Sequence, residues 1–557
     1  MKRALLFIGL LLLAITVFAA CGNNNQGAAA DTAPAAAATP APAQQQTEAS
    51  AEDERVITFP LEETLRFSMA ALHWDGNPTF SETAIMQELL AYANVEIDWI
   101  FWPTAAHGER LNLAFSTGDY PDALFGAWIV GTGNTMTFAA EGMLVPIEQY
   151  ITPGIMPNLT RILDLRPNFR YDKTSPDGHI YTLTSMTEFS LRAMNEVHII
   201  NQTWLDRLGL DIPTTTDELL DVLRAFRDNA DILNPNGVIP MSIFWDNHIR
   251  GQHSMQGWWG QAGSQTRLST RGDTVVWNPV TEEYREMIRF FNLLNSEGLL
   301  DPELFTHTQA MYDAKTLDME NPSVGVFAQW NLGVNFYESE YDFSLLPPLS
   351  AGPGITPMWA PRTHSLISNI GFVLTDASNE ADRPYIMAFM DLFYDAMTSI
   401  HNNQGPLDIN LRHVDGRYFE FIHGNMLPED ERMDYVLMNR GLWMVLDEDF
   451  AWATISHEQI LDNAAQDSIR PYLDPNPFPV LWFTADESSE VSLINADINP
   501  FSQMNAARWV SGEGDIDAEW DAYVAQLNAM GLNRLLEINQ AAFDRSPFSA
   551  ANPWRYR

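Results

Sequence analysis

The chain has 557 residues, 46% of them hydrophobic and 19% charged, which is apolar material for two large cores and too much chain for one. Its 31 basic against 73 acidic residues leave a formal net charge of −42, which repels phosphate backbones and excludes nucleic-acid binding as a function. The single cysteine, Cys21, excludes an intrachain disulfide and any cysteine-based metal site in the folded body.

In chain order, Lys2 and Arg3 precede an apolar run from Ala4 to Val17, and small residues then lead to Cys21. This is the plan of a secretory signal, and the run is shorter than the ~20 residues a spanning helix needs. Phe18-Ala19-Ala20-Cys21 resembles the lipobox of bacterial lipoproteins, with Phe18 where an aliphatic residue is more usual. Residues 1–21 are therefore expected to be a signal peptide ending in a lipidated Cys21. Residues 22–55, dominated by Ala, Pro, Gln, Asn and Thr without an aromatic, read as a disordered tether with a reach of roughly 30 Å. Beyond it, Leu65–Met69 is predicted as a strand, Thr83–Tyr92 as a helix, Glu96–Phe101 as a second strand and Ala123–Gly126 as a third, the alternation of an open α/β sheet. Thr215 and Glu218 form a capping-box pattern, and Leu219, Val222, Leu223 and Phe226 follow at i, i+3, i+4, i+7 on one face. Trp520, Tyr523, Val524 and Leu527 repeat that spacing near the end of the chain, with Gly531 as a stop.

The segment NQTWLDRLGLDIPTTTDELLDVLRAF, Asn201 to Phe226, resembles the signature of extracellular solute-binding protein family 1, in its large lipoprotein branch. FSTGDYPDALF (Phe115 to Phe125), GHIYTL (Gly178 to Leu183), REMIRFFNLLNSEGLLDPELF (Arg285 to Phe305) and the stretch from Gly512 to Arg545 resemble family segments in the same order. The resemblance implies an α/β, two-lobed periplasmic-binding-protein-like (type II) fold with a hinge and an interlobe cleft. Lobe one is expected over 56–197 and 368–455, and lobe two over 198–367 and 456–557, with hinge passages near Asn195–Asn201 and Ile367–Leu374. The implied role is a lipid-anchored binder at the outer face of the plasma membrane, touching the membrane only through its N-terminal lipid. It would act as a monomer that delivers a carbohydrate, expected to be an oligosaccharide, to the permease subunits of an ABC importer. Relatives carry a calcium loop of the form D-x-N-x-N-G-x-x-D-E; here Asp228–Pro240 lacks the final acidic pair, and a turn explains Asp231, Asn234 and Asn236. No metal and no cofactor are expected.

The 17 tryptophans suit the C–H face of a sugar ring, and a ring covering on the order of 60 Å² contributes ~1.5 kcal/mol at roughly 25 cal/mol per Å². In an open α/β sheet, ligand loops lie beyond the carboxyl ends of strands. That rule selects Trp74 and Asp75, with His73, after the first strand, Trp128 after the third, and Glu188 after Ile180–Met186. It also selects Trp245 and Asp246 after Met241–Phe244, and Gln329 and Trp330 after Val324–Phe327, while Trp359 and Arg362 lie on a Pro/Gly-rich loop beside the second hinge passage. No nucleophile elbow, phosphate loop, H-E-x-x-H or cysteine nucleophile is present, so an enzyme is not expected. Two other readings stand beside the carbohydrate binder: a peptide-binding or sensory protein of the same fold, and a tethered glycoside hydrolase whose carboxylates pair only in space.

Overall fold

The computed structural model describes residues 55–546, apart from position 75, the segments 188–195, 246–250, 264–265, 330–341, 361–369 and 451–466, and the short stretches 406–407, 416–417, 423–428, 438–439, 447–448, 450 and 476–477. Nine strands carry the architecture: Leu65–His73 (β1), Val95–Pro103 (β2), Ala123–Phe125 (β3), Thr182–Thr184 (β4), Val197–Asn201 (β5), Ile239–Met241 (β6), Val324–Gln329 (β7), Phe343–Leu345 (β8) and Ile370–Leu374 (β9). β1 runs four residues past its predicted end, because Ala70, Ala71 and Leu72 are all buried. A strand covered on both faces loses the alternation that marks a half-exposed one. His73 is therefore the last residue of the strand, where the sequence reading placed it beyond.

The strands form two mixed sheets. The first has the order β2-β1-β3-β9-β4, with β1 parallel to β2 and β3, and β9 antiparallel to β3 and β4. The second has the order β8-β5-β7-β6, with β7 antiparallel to β5 and parallel to β6. The chain thus leaves the first sheet after β4, builds the second, and returns at β9. Each sheet has its own core: Met69, Phe125, Leu183, Phe372 and Phe389 in one, and Trp204, Leu223, Trp258, Phe291 and Trp509 in the other. This is the two-lobed α/β arrangement that the sequence resemblance implies.

The helix Thr216–Asp228 shows how sequence chemistry builds the second lobe. Thr215 Oγ1 accepts from the Glu218 N–H at 3.2 Å, and Glu218 Oε2 accepts from the Thr215 N–H at 3.2 Å, so the expected capping box is present. Its apolar stripe, Leu219, Val222, Leu223 and Phe226, is buried. The helix sits tightly on β7: a Cβ at Gly325 would lie 2.5 Å from the Phe226 ring, so only glycine lets strand and ring approach this closely.

Three C-terminal helices, Ala485–Ser511, Ile516–Ala529 and Leu532–Arg545, close the second core with Trp509, Trp520, Tyr523 and Leu535. Gly531, at φ +109°, separates the last two, as expected of a helix stop. The long helix Ala485–Ser511, which contains Pro500, packs on Glu282–Ser296 in the second lobe and also on Thr132–Ala140 in the first. Just before it, Trp482 Nε1 donates to the Asp172 carbonyl of the first lobe at 3.0 Å. Among the described residues no helix is long and apolar enough to cross a membrane.

Candidate functional site

At the end of β3 the chain makes an abrupt turn. Gly126 has φ +118°, and a Cβ there would stand 3.1 Å from the Phe80 ring. Two residues on, Trp128 adopts φ +65°, unusual for a non-glycine residue, while its N–H donates to the Ile370 carbonyl at 3.0 Å. A left-handed conformation of this kind costs about 1–3 kcal/mol and persists where neighbouring contacts impose it. The consequence is an indole that is 53% exposed, beyond the carboxyl end of a central strand.

The other predicted residues divide. Trp74 is half-buried, with its ring 6.3 Å from Phe80 and the Arg440 guanidinium 5.9 Å from its centroid, so part of its surface serves packing. Gln329 is corrected: β7 runs through it, it is buried opposite Val197, and its Nε2 donates to Thr316 Oγ1 at 2.9 Å. Trp359 is a core residue. It has no exposed surface, packs with Val197, Ile199 and Phe327, and lies 4.4 Å from the His198 ring. The reading that makes it a ring platform fails on this burial; its loop is tied down by the Trp359 N–H to Tyr472 carbonyl bond and by the Asp474 N–H to Trp359 carbonyl bond, each 2.8 Å. Asp75, Glu188, Asp246, Trp330, Arg362 and Cys21 lie outside the described residues.

Two titratable groups beside Trp359 have their ionisation suppressed by burial. Burial pushes the Glu196 carboxyl up to about 8, partly offset by the Trp359 indole. It also takes the His198 imidazole down to about 3, so both groups are mainly neutral near pH 7. His198 Nε2 is 2.9 Å from Ser254 Oγ. These are framework groups at the start of β5, where the chain enters the second lobe.

Trp245, beyond β6, is half-buried with its ring at steep angles to Phe291 (5.7 Å) and Phe305 (5.1 Å). It borders a cavity of about 380 Å³ between the end of β6 and the middle of the helix Ala485–Ser511. Phe305, His307, Gln503 and Met504 also line this cavity, and none was singled out by sequence. Their segments are about 200 residues apart, and no local pattern announces that they meet. In the turn after the helix Thr216–Asp228, Asn234 Oδ1 accepts from the Asn236 N–H at 2.9 Å and Asn234 Nδ2 donates to the Pro322 carbonyl at 3.0 Å. The turn thus engages both ends of the Asn234 amide within the protein.

No family model matches the chain. It is similar to the fructooligosaccharide ABC transporter substrate-binding protein FusA of Streptococcus pneumoniae, with 29% identity over 567 positions that cover 96% of this chain and 97% of that protein. The solved structure of S. pneumoniae FusA in complex with kestose superimposes with a TM-score of 0.76 at 27% identity, covering 86% of this chain and 99% of the other. An extracellular solute-binding protein from Bifidobacterium longum subsp. infantis superimposes with a TM-score of 0.75 at 21% identity, over 87% of this chain and 99% of the other, a likeness of fold.

Proposed function

We propose that this chain, a solute-binding protein of the family-1 type, captures an oligosaccharide outside the cell and delivers it to an ABC importer. The observation that carries this reading is the full-length similarity to a fructooligosaccharide-binding transporter component, 97% of whose length is matched. The site agrees with it: exposed Trp128 in one lobe and Trp245 beside a cavity in the other supply flat apolar faces for sugar rings. Fructooligosaccharides head the candidates. We assign the lobes as 56–197 with 368–455 and 198–367 with 456–557, an arrangement supported by the two sheets and their separate cores.

Binding is the whole chemistry of the proposal. The chain acts as a monomer, without catalysis, metal or cofactor, and closure of the lobes around the sugar is the signal its importer reads. Ligand contacts complete only in the closed form shift the open–closed population toward it. Localisation follows from the N-terminus: the signal and Cys21 support attachment to the outer face of the plasma membrane through lipid alone.

Thermal melting of the purified full chain against fructooligosaccharides, other neutral oligosaccharides, monosaccharides and peptides tests the reading, with chromatography of the sugars afterwards. A ligand at ~100 times its Kd adds about 2.7 kcal/mol of stability. A melting shift with one oligosaccharide class, recovered intact, is expected. A shift with peptides alone overturns the ligand, and shortened sugars overturn the binder in favour of a hydrolase.

A further inference from the structure

We propose that the cavity between the end of β6 and the helix Ala485–Ser511 is a subsite holding one ring of the bound oligosaccharide, with Trp245, Phe305 and Met504 against its C–H faces and His307 taking a hydroxyl. The proposal rests on the oligosaccharide-binding reading above. A volume of about 380 Å³ is within the range of small-ligand pockets, roughly 300–1,000 Å³. Phe305 is 39% exposed and Met504 54% exposed, yet both border the same concavity as Trp245. Single exposed apolar side chains are ordinary; two beside a half-buried indole around one cavity, with polar groups next to them, make the mixed wall that a sugar requires.

His307 is the independent sign of a ligand. Its side chain is only 1% exposed and is held between the rings of Phe244 (5.6 Å) and Tyr312 (5.3 Å). Nδ1 lies 3.7 Å from Asp301 Oδ2. Burial opposes ionisation of Asp301, but His307, Lys315, the Glu303 N–H and Ser242 gather around its carboxylate and hold it well below the usual range. Lys315 Nζ is 2.9 Å from Oδ2 and Ser242 Oγ is 2.8 Å from it. His307 lines the cavity, and among the described residues neither of its ring nitrogens has a hydrogen-bond partner; a neutral imidazole carries one donor and one acceptor nitrogen. A buried acceptor without a partner is costly, and a hydroxyl of a bound ring relieves it.

A second cavity among the described residues, about 190 Å³ and lined by Gln261, Ser269 and Arg271 among others, lacks this feature. There Gln261 Nε2 already donates to Ser269 Oγ at 2.6 Å, and Gln261 Oε1 accepts from Arg271 at 3.3 Å.

Titration calorimetry of the full chain with kestose, fructo-nystose, maltotriose and cellotriose decides the matter. For the sugar that binds wild type, Phe305→Ala and His307→Leu are each expected to weaken binding about tenfold or more. His307→Gln, which keeps an acceptor, is expected to stay within roughly threefold, and Met504→Ala, on an exposed side chain, to lose about threefold without a change in ligand-free melting. If Phe305→Ala and Met504→Ala both bind within about twofold of wild type, the subsite is overturned while the binder reading stands. If wild type binds none of the four, the oligosaccharide reading falls and the subsite with it.

Discussion

In the proposed function, the two lobes meet a ligand with different equipment. The first-sheet lobe offers Trp128, a single indole pushed into solvent by a left-handed backbone at the end of a three-residue strand. The second-sheet lobe offers an open cavity assembled from the end of β6, the segment carrying Phe305 and His307, and a helix from the far end of the chain. A concave surface contacts a ring on more than one side, and an isolated platform on one. The difference teaches that recognition is expected to be seated in the second lobe, with the first lobe completing it on closure.

The largest expected effect tests whether the second lobe is the rigid partner. Phe226 is fully buried against Gly325 of β7, and Phe226→Ala should cost about 3–5 kcal/mol of unfolding free energy in urea. A loss under about 1 kcal/mol would mean that this helix does not hold the floor of the lobe. Next is Glu196, at the entry to the second sheet. Its carboxyl titrates near 4.5 in the unfolded chain and near 8 when buried, so between these values the folded state keeps a proton that the unfolded state has lost. Stability from this group is full below about 4.5 and declines as pH rises to about 8. Glu196→Gln should therefore melt higher than wild type at pH 8, by the equivalent of a few kcal/mol, and match it near pH 4.5. Equal melting at both pH values would remove the buried carboxyl from the account.

The asymmetry itself is sharpened by a pair of truncations. Trp245→Ala, which opens the cavity wall, should weaken oligosaccharide binding about thirtyfold, and Trp128→Ala about tenfold, chiefly through faster dissociation measured by stopped flow. Equal losses, or a larger loss at Trp128, would break the division between a holding and a covering lobe. The smallest effect is local: Thr215→Ala removes the cap of the helix Thr216–Asp228 and should cost ~1 kcal/mol in the same urea experiment, with sugar affinity unchanged.

The helix Thr216–Asp228 was legible residue by residue, since its cap and its 3.6-residue stripe are both local signals. So was the helix with Trp520, Tyr523 and Leu527, whose predicted face is buried. Strand ends were less so. β1 and β7 continue through residues buried on both sides, where alternation gives no warning, and this moved His73 and Gln329 from expected loops into strands. Trp359 and Trp128 illustrate the limit for the site. Both are tryptophans on Gly-containing loops, but one is locked over His198 in the core and the other is turned outward by backbone conformation, a distinction set by tertiary contacts. Trp245 was picked out by its place after a strand, but the rest of the cavity lining was not, because Gln503 and Met504 come beside Trp245 and His307 only when the last helices fold back on the second lobe.

The most direct test of oligosaccharide capture is to incubate the purified full chain with a mixture of neutral oligosaccharides, remove unbound sugar by dialysis, and identify what is retained by mass spectrometry. Recovery of one class of intact oligosaccharide at one molecule per chain is the expected result. Retention of nothing, or release of shortened sugars, would contradict it.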